Sequence, residues 1–169
     1  MSSNFLPVAD IDQIKKAYEA GDQERVFDML VQPLHEELYK RQTFEFLDEL
    51  SWEQQLLLTS DYMHMQVGQG GFIQFLQNGY VGLLPNMVEQ FYKLGAPEMA
   101  QVLDDVLKVY VLNRELLEAS TSVEDFAKLY DELKEFEAID ARYQVLNADT
   151  TQKMLEHAMA NLHEFVRPA

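Results

Sequence analysis

The sequence predicts an all-α protein, and three observations predict it. Apolar residues recur three and four positions apart through almost the whole chain, which is the spacing of one helix face. Glycines, prolines and capping residues fall at the ends of those stretches. No β-hairpin signal appears, and no run alternates in the period of a strand. With 169 residues, 47% of them apolar, the chain is long enough to bury a real core. The expectation is one domain over 1–169, a single compact multi-helix bundle of roughly seven to nine helices. Residues 1–50 supply N-terminal helices and 51–166 the main core. There is no internal repeat and no low-complexity segment.

Taken in order, Asp10 is placed to cap a first short helix with Ile11, Ile14 and Tyr18 on one face, and Gly21 ends it. A second carries Val26, Phe27, Leu30 and Val31 until Pro33 breaks or kinks it, with Leu34 and Leu38 extending the stripe into the next turn. Residues 43–50 read as a short helix or a structured connection. Ser51 opens a longer helix, with Gln54 in capping-box position and Trp52, Leu56, Thr59, Met63 and Val67 at helical spacing. A glycine-rich helix–helix junction at 68–71 ends it. Residues 71–78 make about two turns with Phe72, Phe75 and Leu76 inward, closed by Gly79.

Pro85 sits early in the next helix, whose Val88, Phe91 and Tyr92 face the core. Leu94-Gly95-Ala96-Pro97 stops that helix and starts another, striped by Met99, Val102, Leu103, Val106 and Tyr110 and ending between Val111 and Ala119. Ser122 with Asp125 caps a helix that turns Val123, Phe126, Tyr130 and Leu133 inward. Residues 136–147 read as a turn plus a short helical piece. Asp149 with Gln152 caps the last helix, whose stripe is Met154, Leu155, Ala158, Leu162 and Phe165, closed by Pro168.

Thirteen Lys and Arg against 29 Asp and Glu give a net charge of −16. That charge repels nucleic acid and anionic membrane and favours basic partners. The absence of cysteine excludes disulfides, thiolate metal sites and cysteine nucleophiles. No basic segment followed by an apolar run opens the chain, and no apolar stretch reaches bilayer length. The expected setting is the bacterial cytoplasm.

No group of residues announces a reaction. His35, His64, His157 and His163 lack the spacing of a metal site, so neither metal nor cofactor is expected. Ser60, Asp61 and His64 are near one another in sequence, but triads are spatial. Gly68, Gly70 and Gly71 are not followed by the Lys-Ser/Thr of a phosphate loop, so a tight helix-to-helix turn explains them better. Gln74 and Asn78 lie one turn apart and share a face. They give an alternative reading, a small-molecule-binding or hydrolytic protein with a pocket beside Gly70-Gly71-Phe72 and with His64 at its edge.

The remaining signal is acidic. Asp104, Asp105, Glu115, Glu118, Glu124, Asp125, Asp131, Glu132 and Glu135 fall in one region, with Glu137 and Asp140 after them, against Lys108, Arg114, Lys128 and Lys134. Acids three or four apart on a helix, such as Asp131 and Glu135, lie about 5–6 Å apart at Cβ. That separation is in the range of neighbouring phosphates on a nucleic-acid strand.

Val67-x-x-Gly70-Gly71-Phe72-x-Gln74-Phe75-x-x-Asn78 follows a Leu/Tyr-rich helix and precedes Leu94-Gly95-Ala96. This pattern resembles a bacterial all-helical domain family of unknown function, whose best-known member is an acidic DNA-mimic protein. Ile139-Asp140-x-x-Tyr143 resembles the family's C-terminal half, so the likeness runs from about residue 50 to 165. The family pattern usually reads Asn-Gly-Gly-Phe, and here Gln69 stands in place of that Asn. The resemblance implies an all-helical, non-enzymatic protein-binding module. Its implied partner is a basic protein, a DNA-binding regulator whose DNA site the acidic face occupies. Direct nucleic-acid and membrane contacts are not implied, and a homodimer is a further alternative.

Overall fold

The computed structural model describes residues 3–119 and 122–169, together with all side chains in that span except Val123. The inward placement expected of Val123 therefore lies outside the described residues. The protein is all-α. Its helices are α1 (Ile11–Glu19), α2 (Gln23–Arg41), α3 (Trp52–Gln77), α4 (Leu84–Leu94), α5 (Pro97–Leu112), α6 (Arg114–Glu118), α7 (Val123–Glu132) and α8 (Glu135–Ala160). Short 3-10 turns occupy Phe44–Glu49, Tyr80–Leu83 and Leu162–Glu164. The described strands, β1 (Val8–Ala9) and β2 (Arg167–Pro168), pair in parallel over two residues each.

The chain forms two compact units, one from residues 1–61 with 151–169 and the other from 62–150. In the first, the Asp10 side chain accepts from the Gln13 N–H and caps α1, and Asp22 caps α2 through the Arg25 N–H. Ile14, Val26, Leu30, Val31 and Leu34 are fully or almost fully buried there. The start of α3 carries a reciprocal capping box. The Gln54 N–H donates to Ser51 Oγ at 3.2 Å, and Gln54 Oε1 accepts from the Ser51 N–H at 3.0 Å. The Gln54 amide also donates to the carbonyls of Phe5 (2.9 Å) and Phe165 (3.2 Å), so one buried side chain ties the N-terminal segment and the C-terminal segment to α3.

In the second unit α4 and α5 make the most extensive helix–helix contact among the described residues, with Met87, Phe91, Met99, Ala100 and Leu103 buried. Ser122 Oγ accepts from the Asp125 N–H and caps α7. Leu129 and Leu133 are its buried residues, while Phe126 and Tyr130 are only partly covered.

Several local expectations are overturned. Of the two readings of Pro33, the break is overturned: α2 continues past it to Arg41 and stops at Gln42, a residue in the left-handed region. The apolar stripe Leu30, Leu34, Leu38 is buried on both sides of the proline, so packing outweighs the one lost backbone bond. Tyr92 is exposed (53%), because the burial of Leu84, Met87 and Phe91 leaves it on the outer side of α4. Residues 136–165 do not divide at Asp149. Instead α8 runs unbroken for 26 residues with Asp149 in its interior. No glycine or proline interrupts that stretch, and the Thr150 hydroxyl bonds back to the Leu146 carbonyl four residues earlier. The helix stops at Ala160, so buried Leu162 and Phe165 lie beyond it and Pro168 belongs to β2.

Because Gln54 is wholly buried and makes four hydrogen bonds, replacing it leaves buried carbonyls and the Ser51 N–H without a partner. Gln54→Leu should destabilise the protein by roughly 2–4 kcal/mol in urea unfolding. The exposed change Glu124→Gln should stay within about 0.5 kcal/mol.

Candidate functional site

The second unit is built around a break in α3. Its backbone leaves helical values at Gly70 (φ −149°, ψ 21°) and Gly71 (φ 70°, ψ −173°), while Gly68 and Gln69 remain helical. Positive φ favours glycine at 71, and the space there demands it. A Cβ on Gly71 would stand 1.8 Å from the Tyr130 hydroxyl and 2.3 Å from Asp140 Oδ2. At Gly70 the φ imposes nothing, but a Cβ would meet the Gln74 side chain at 2.3 Å (Oε1) and 2.9 Å (Cβ).

A break in a helix strips backbone groups of their partners, and buried groups must find others. Here two later helices provide them. The Phe72 N–H donates to Asp140 Oδ1 on α8 at 3.0 Å. The Tyr130 hydroxyl on α7 donates to the Gly70 carbonyl at 2.5 Å and lies 3.2 Å from Asp140 Oδ2. One turn beyond Asp140, buried Tyr143 packs edge-on against Phe72, with ring centroids 5.5 Å apart. Its hydroxyl is 3.1 Å from His64 Nδ1, which also lies 3.2 Å from Asn147 Nδ2. The Gly-Gly-Phe and Asp-x-x-Tyr segments are thus two halves of one latch.

Tyr130 has a single hydroxyl proton and two acceptors within reach. Burial pushes Asp140 above the ordinary carboxylate range, against the lowering effect of its bonds from the Phe72 N–H and Tyr130. Tyr130 therefore shares its one proton between the Gly70 carbonyl and Asp140 Oδ2. Burial, and then the charge of Asp140, raise the Tyr130 phenol, so it keeps its proton.

The amides beside the break are occupied. Gln74 donates to the side-chain oxygens of Gln66 (3.1 Å) and Gln69 (3.0 Å), and Asn78 donates to Gln66 at 2.6 Å. Gln69 is one of the acceptors. His64 is exposed at its place on α3. A cavity of about 470 Å³ lies elsewhere, between α5 and α8, lined by Glu98, Gln101, Ala141, Arg142, Val145 and Leu146. Among the described residues no three or more His, Asp or Glu side chains gather as metal ligands would, and no helix is long and apolar enough to cross a membrane.

The acidic residues separate into three groups. Asp140 is half-buried in the latch and leaves the surface row. Asp104, Asp105 and Glu118 are paired with cations. Lys108 Nζ lies 3.0 Å from Asp104, Arg142 bonds Asp105 at 2.6 Å, and Arg114 bonds Glu118 at 2.9 Å. Burial pushes Asp105 up, but its bonds from Arg142 and Gln101 outweigh that and hold it below the usual range. Bonds from Tyr110 and then Arg114 hold Glu118 low. Glu115, Glu124, Asp125, Asp131, Glu132, Glu135 and Glu137 form the third group. All are exposed, and among the described residues none takes part in an ion pair. Six of them lie on α7 and the first turn of α8.

Sequence reasoning missed Tyr130 and Gln66. Tyr130 reads as one more member of an apolar stripe, and nothing local marks its hydroxyl as the partner of a carbonyl 60 residues away. Gln66 is one of many surface amides until the break brings it beside Gln74 and Asn78.

Fold and site together define an all-α scaffold, with a glycine-turn latch in its second unit, that displays carboxylates engaged in no ion pair among the described residues. Over residues 48–167 the chain matches the family model described as DMP19-like protein, and it belongs to that family. No curated protein matches it.

Two measurements test the latch. Gly71→Ala combines unfavourable φ with steric overlap, and should cost more than about 3 kcal/mol. Gly95→Ala has a similar φ of 83° but open space around it, and should cost about 1 kcal/mol, so the difference reports the Tyr130–Asp140 contact. At Asp140, Ala removes the acceptor of the Phe72 N–H and should cost about 1–3 kcal/mol. Asn keeps an acceptor oxygen and an N–H toward Tyr130, so it should be tolerated. A carboxyl raised by folding is bound more tightly to its proton in the folded state. Its contribution is therefore full at low pH and is lost as pH rises from the unfolded value, about 4, through the folded one. Unfolding curves of Asp140→Asn and wild type should accordingly diverge in favour of Asn as pH rises over that window. Parallel curves would remove the raised carboxyl from the account.

Proposed function

We propose that the protein is a non-enzymatic binding module that occupies the DNA site of a basic, DNA-binding protein. The observation that carries this reading is the set of exposed carboxylates on α7 and the start of α8 that take part in no ion pair among the described residues. Family membership supports it, since DMP19 is a DNA mimic protein. A groove evolved for phosphates presents Lys and Arg at their spacing, and carboxylates three and four apart on a helix offer a comparable row. The charged pairs at Asp104, Asp105 and Glu118 contribute less, because their cations already screen them. Acting within a bacterial cytoplasm, such a module would compete with DNA for a regulator.

The test begins with capture from native lysate. A basic DNA-binding protein should be retained at low salt, lost at high salt and displaced by duplex DNA, because exposed charge pairs are screened. Reversing Glu124, Asp131, Glu132 and Glu135 to Lys should weaken that complex by on the order of a hundredfold or more at low salt. Neutralising Asp104 and Glu118 should change it by less than about fivefold. Unchanged affinity in the four-site variant would refute this reading.

A further inference from the structure

A surface that imitates phosphates alone attracts every DNA-binding protein, because phosphate contacts carry no sequence information and little partner information. Selection among basic proteins requires a contact that DNA does not offer. The cavity between α5 and α8 is such a feature, and its chemistry differs from that of the carboxylate row. Ala141, Val145 and Leu146 form an apolar wall along one side of α8. Val145 is 78% exposed, an apolar side chain in the middle of a long helix that the core does not use. Glu98 and Gln101 stand opposite on α5, and Arg142 is held at the rim by its bond to Asp105. At about 470 Å³ the space is within the range of sites that take a small ligand or one large side chain.

We propose that this cavity receives a single bulky apolar side chain from a cationic amphipathic helix of the partner. The inference rests on the reading above and adds a source of selectivity to it. Charge sets the identity of the occupant. Glu98 is exposed at the rim without an ion pair among the described residues, whereas the rim's one cation, Arg142, is already taken by Asp105, so the rim's unpaired charge is negative. Lys and Arg flanking an apolar anchor match that rim, whereas a second copy of this −16 chain would bring like charges together. Desolvated apolar anchors supply affinity that salt does not screen, and the charges around them supply orientation and on-rate.

The experiment uses the full chain and four synthetic helical peptides of one Lys-rich sequence and equal charge, differing only in a central Ala, Leu, Phe or Trp. At high salt at least one of the Leu, Phe and Trp peptides should bind about tenfold or more tightly than the Ala peptide. Val145→Ser and Ala141→Trp alter exposed positions, and each should reduce that advantage to about twofold or less, with thermal unfolding unchanged. If Ala141→Trp disturbs the fold, Val145→Ser decides alone. Equal binding of all four peptides, or an advantage that survives Val145→Ser, overturns the proposal. Self-association of the wild type that Val145→Ser abolishes also overturns it, by assigning the cavity to a second copy. If no peptide binds even at low salt, the charge reading fails too. If all four bind equally at low salt and weaken together with salt, the charge reading stands and only the anchor falls.

Discussion

The second unit depends on the backbone groups that its glycine turn leaves without helical partners. Gly71 takes a conformation that a helix cannot continue through, and the Gly70 carbonyl and Phe72 N–H on either side need bonds from elsewhere. Asp140 and Tyr130 provide them from α8 and α7. The arrangement is tight enough that a single methyl group on Gly71 would overlap both. Phe72 is held in turn by Tyr143, and the amides of Gln66, Gln69, Gln74 and Asn78 close the outer side of the same break. Three helices are thereby fixed by a handful of polar contacts at one point, with apolar packing around them.

That constraint bears directly on the acidic surface. Tyr130 is the residue before Asp131 and Glu132, so the latch anchors the helix that carries the exposed carboxylates. Asp140 lies in α8 shortly after Glu135 and Glu137, so it anchors the other end of the row. An imitation of a phosphate track works only if its charges are held at defined separations, because side chains ordered during binding subtract from affinity. A scaffold pinned beside its charges reduces that cost. In the proposed reading, Gly70, Gly71 and Phe72 would act through this positioning, without touching the partner.

Much of this was legible locally. Caps at Asp10, Ser51 and Ser122, the Gln54 partner of Ser51 and the buried stripe of α5 follow from propensity and spacing, which short segments encode in full. Misreadings arose where a longer-range term won. Pro33 can break or kink a helix by its own chemistry, and the break loses because leucines on both sides of it are buried and carry the helix through. Asp149 and Gln152 have the pattern of a cap, but the same residues are tolerated inside a helix when no glycine or proline stops it. Tyr92 could face either way by spacing, and the burial of Leu84, Met87 and Phe91 on α4 decides it. Asp140 illustrates a different limit. In a chain with 29 acids one carboxylate carries little information, and its role appears only when the fold brings it to a backbone N–H that has lost its partner.

The distribution of cations makes the final distinction among the acids. Lys108, Arg114 and Arg142 are spent on Asp104, Glu118 and Asp105, all on α5 and α6. These pairs are exposed or half-exposed and add little to stability, so their main effect is to lower the local negative field. On α7 the carboxylates make no ion pair among the described residues, although Lys128 lies on the same helix and Lys134 follows it. Repulsion among uncompensated carboxylates opposes folding, and a helix with Glu124 and Asp125 in its first turn recovers part of that through the helix dipole. The remainder must be offset by packing at Leu129, Leu133 and Phe136 and by the latch itself.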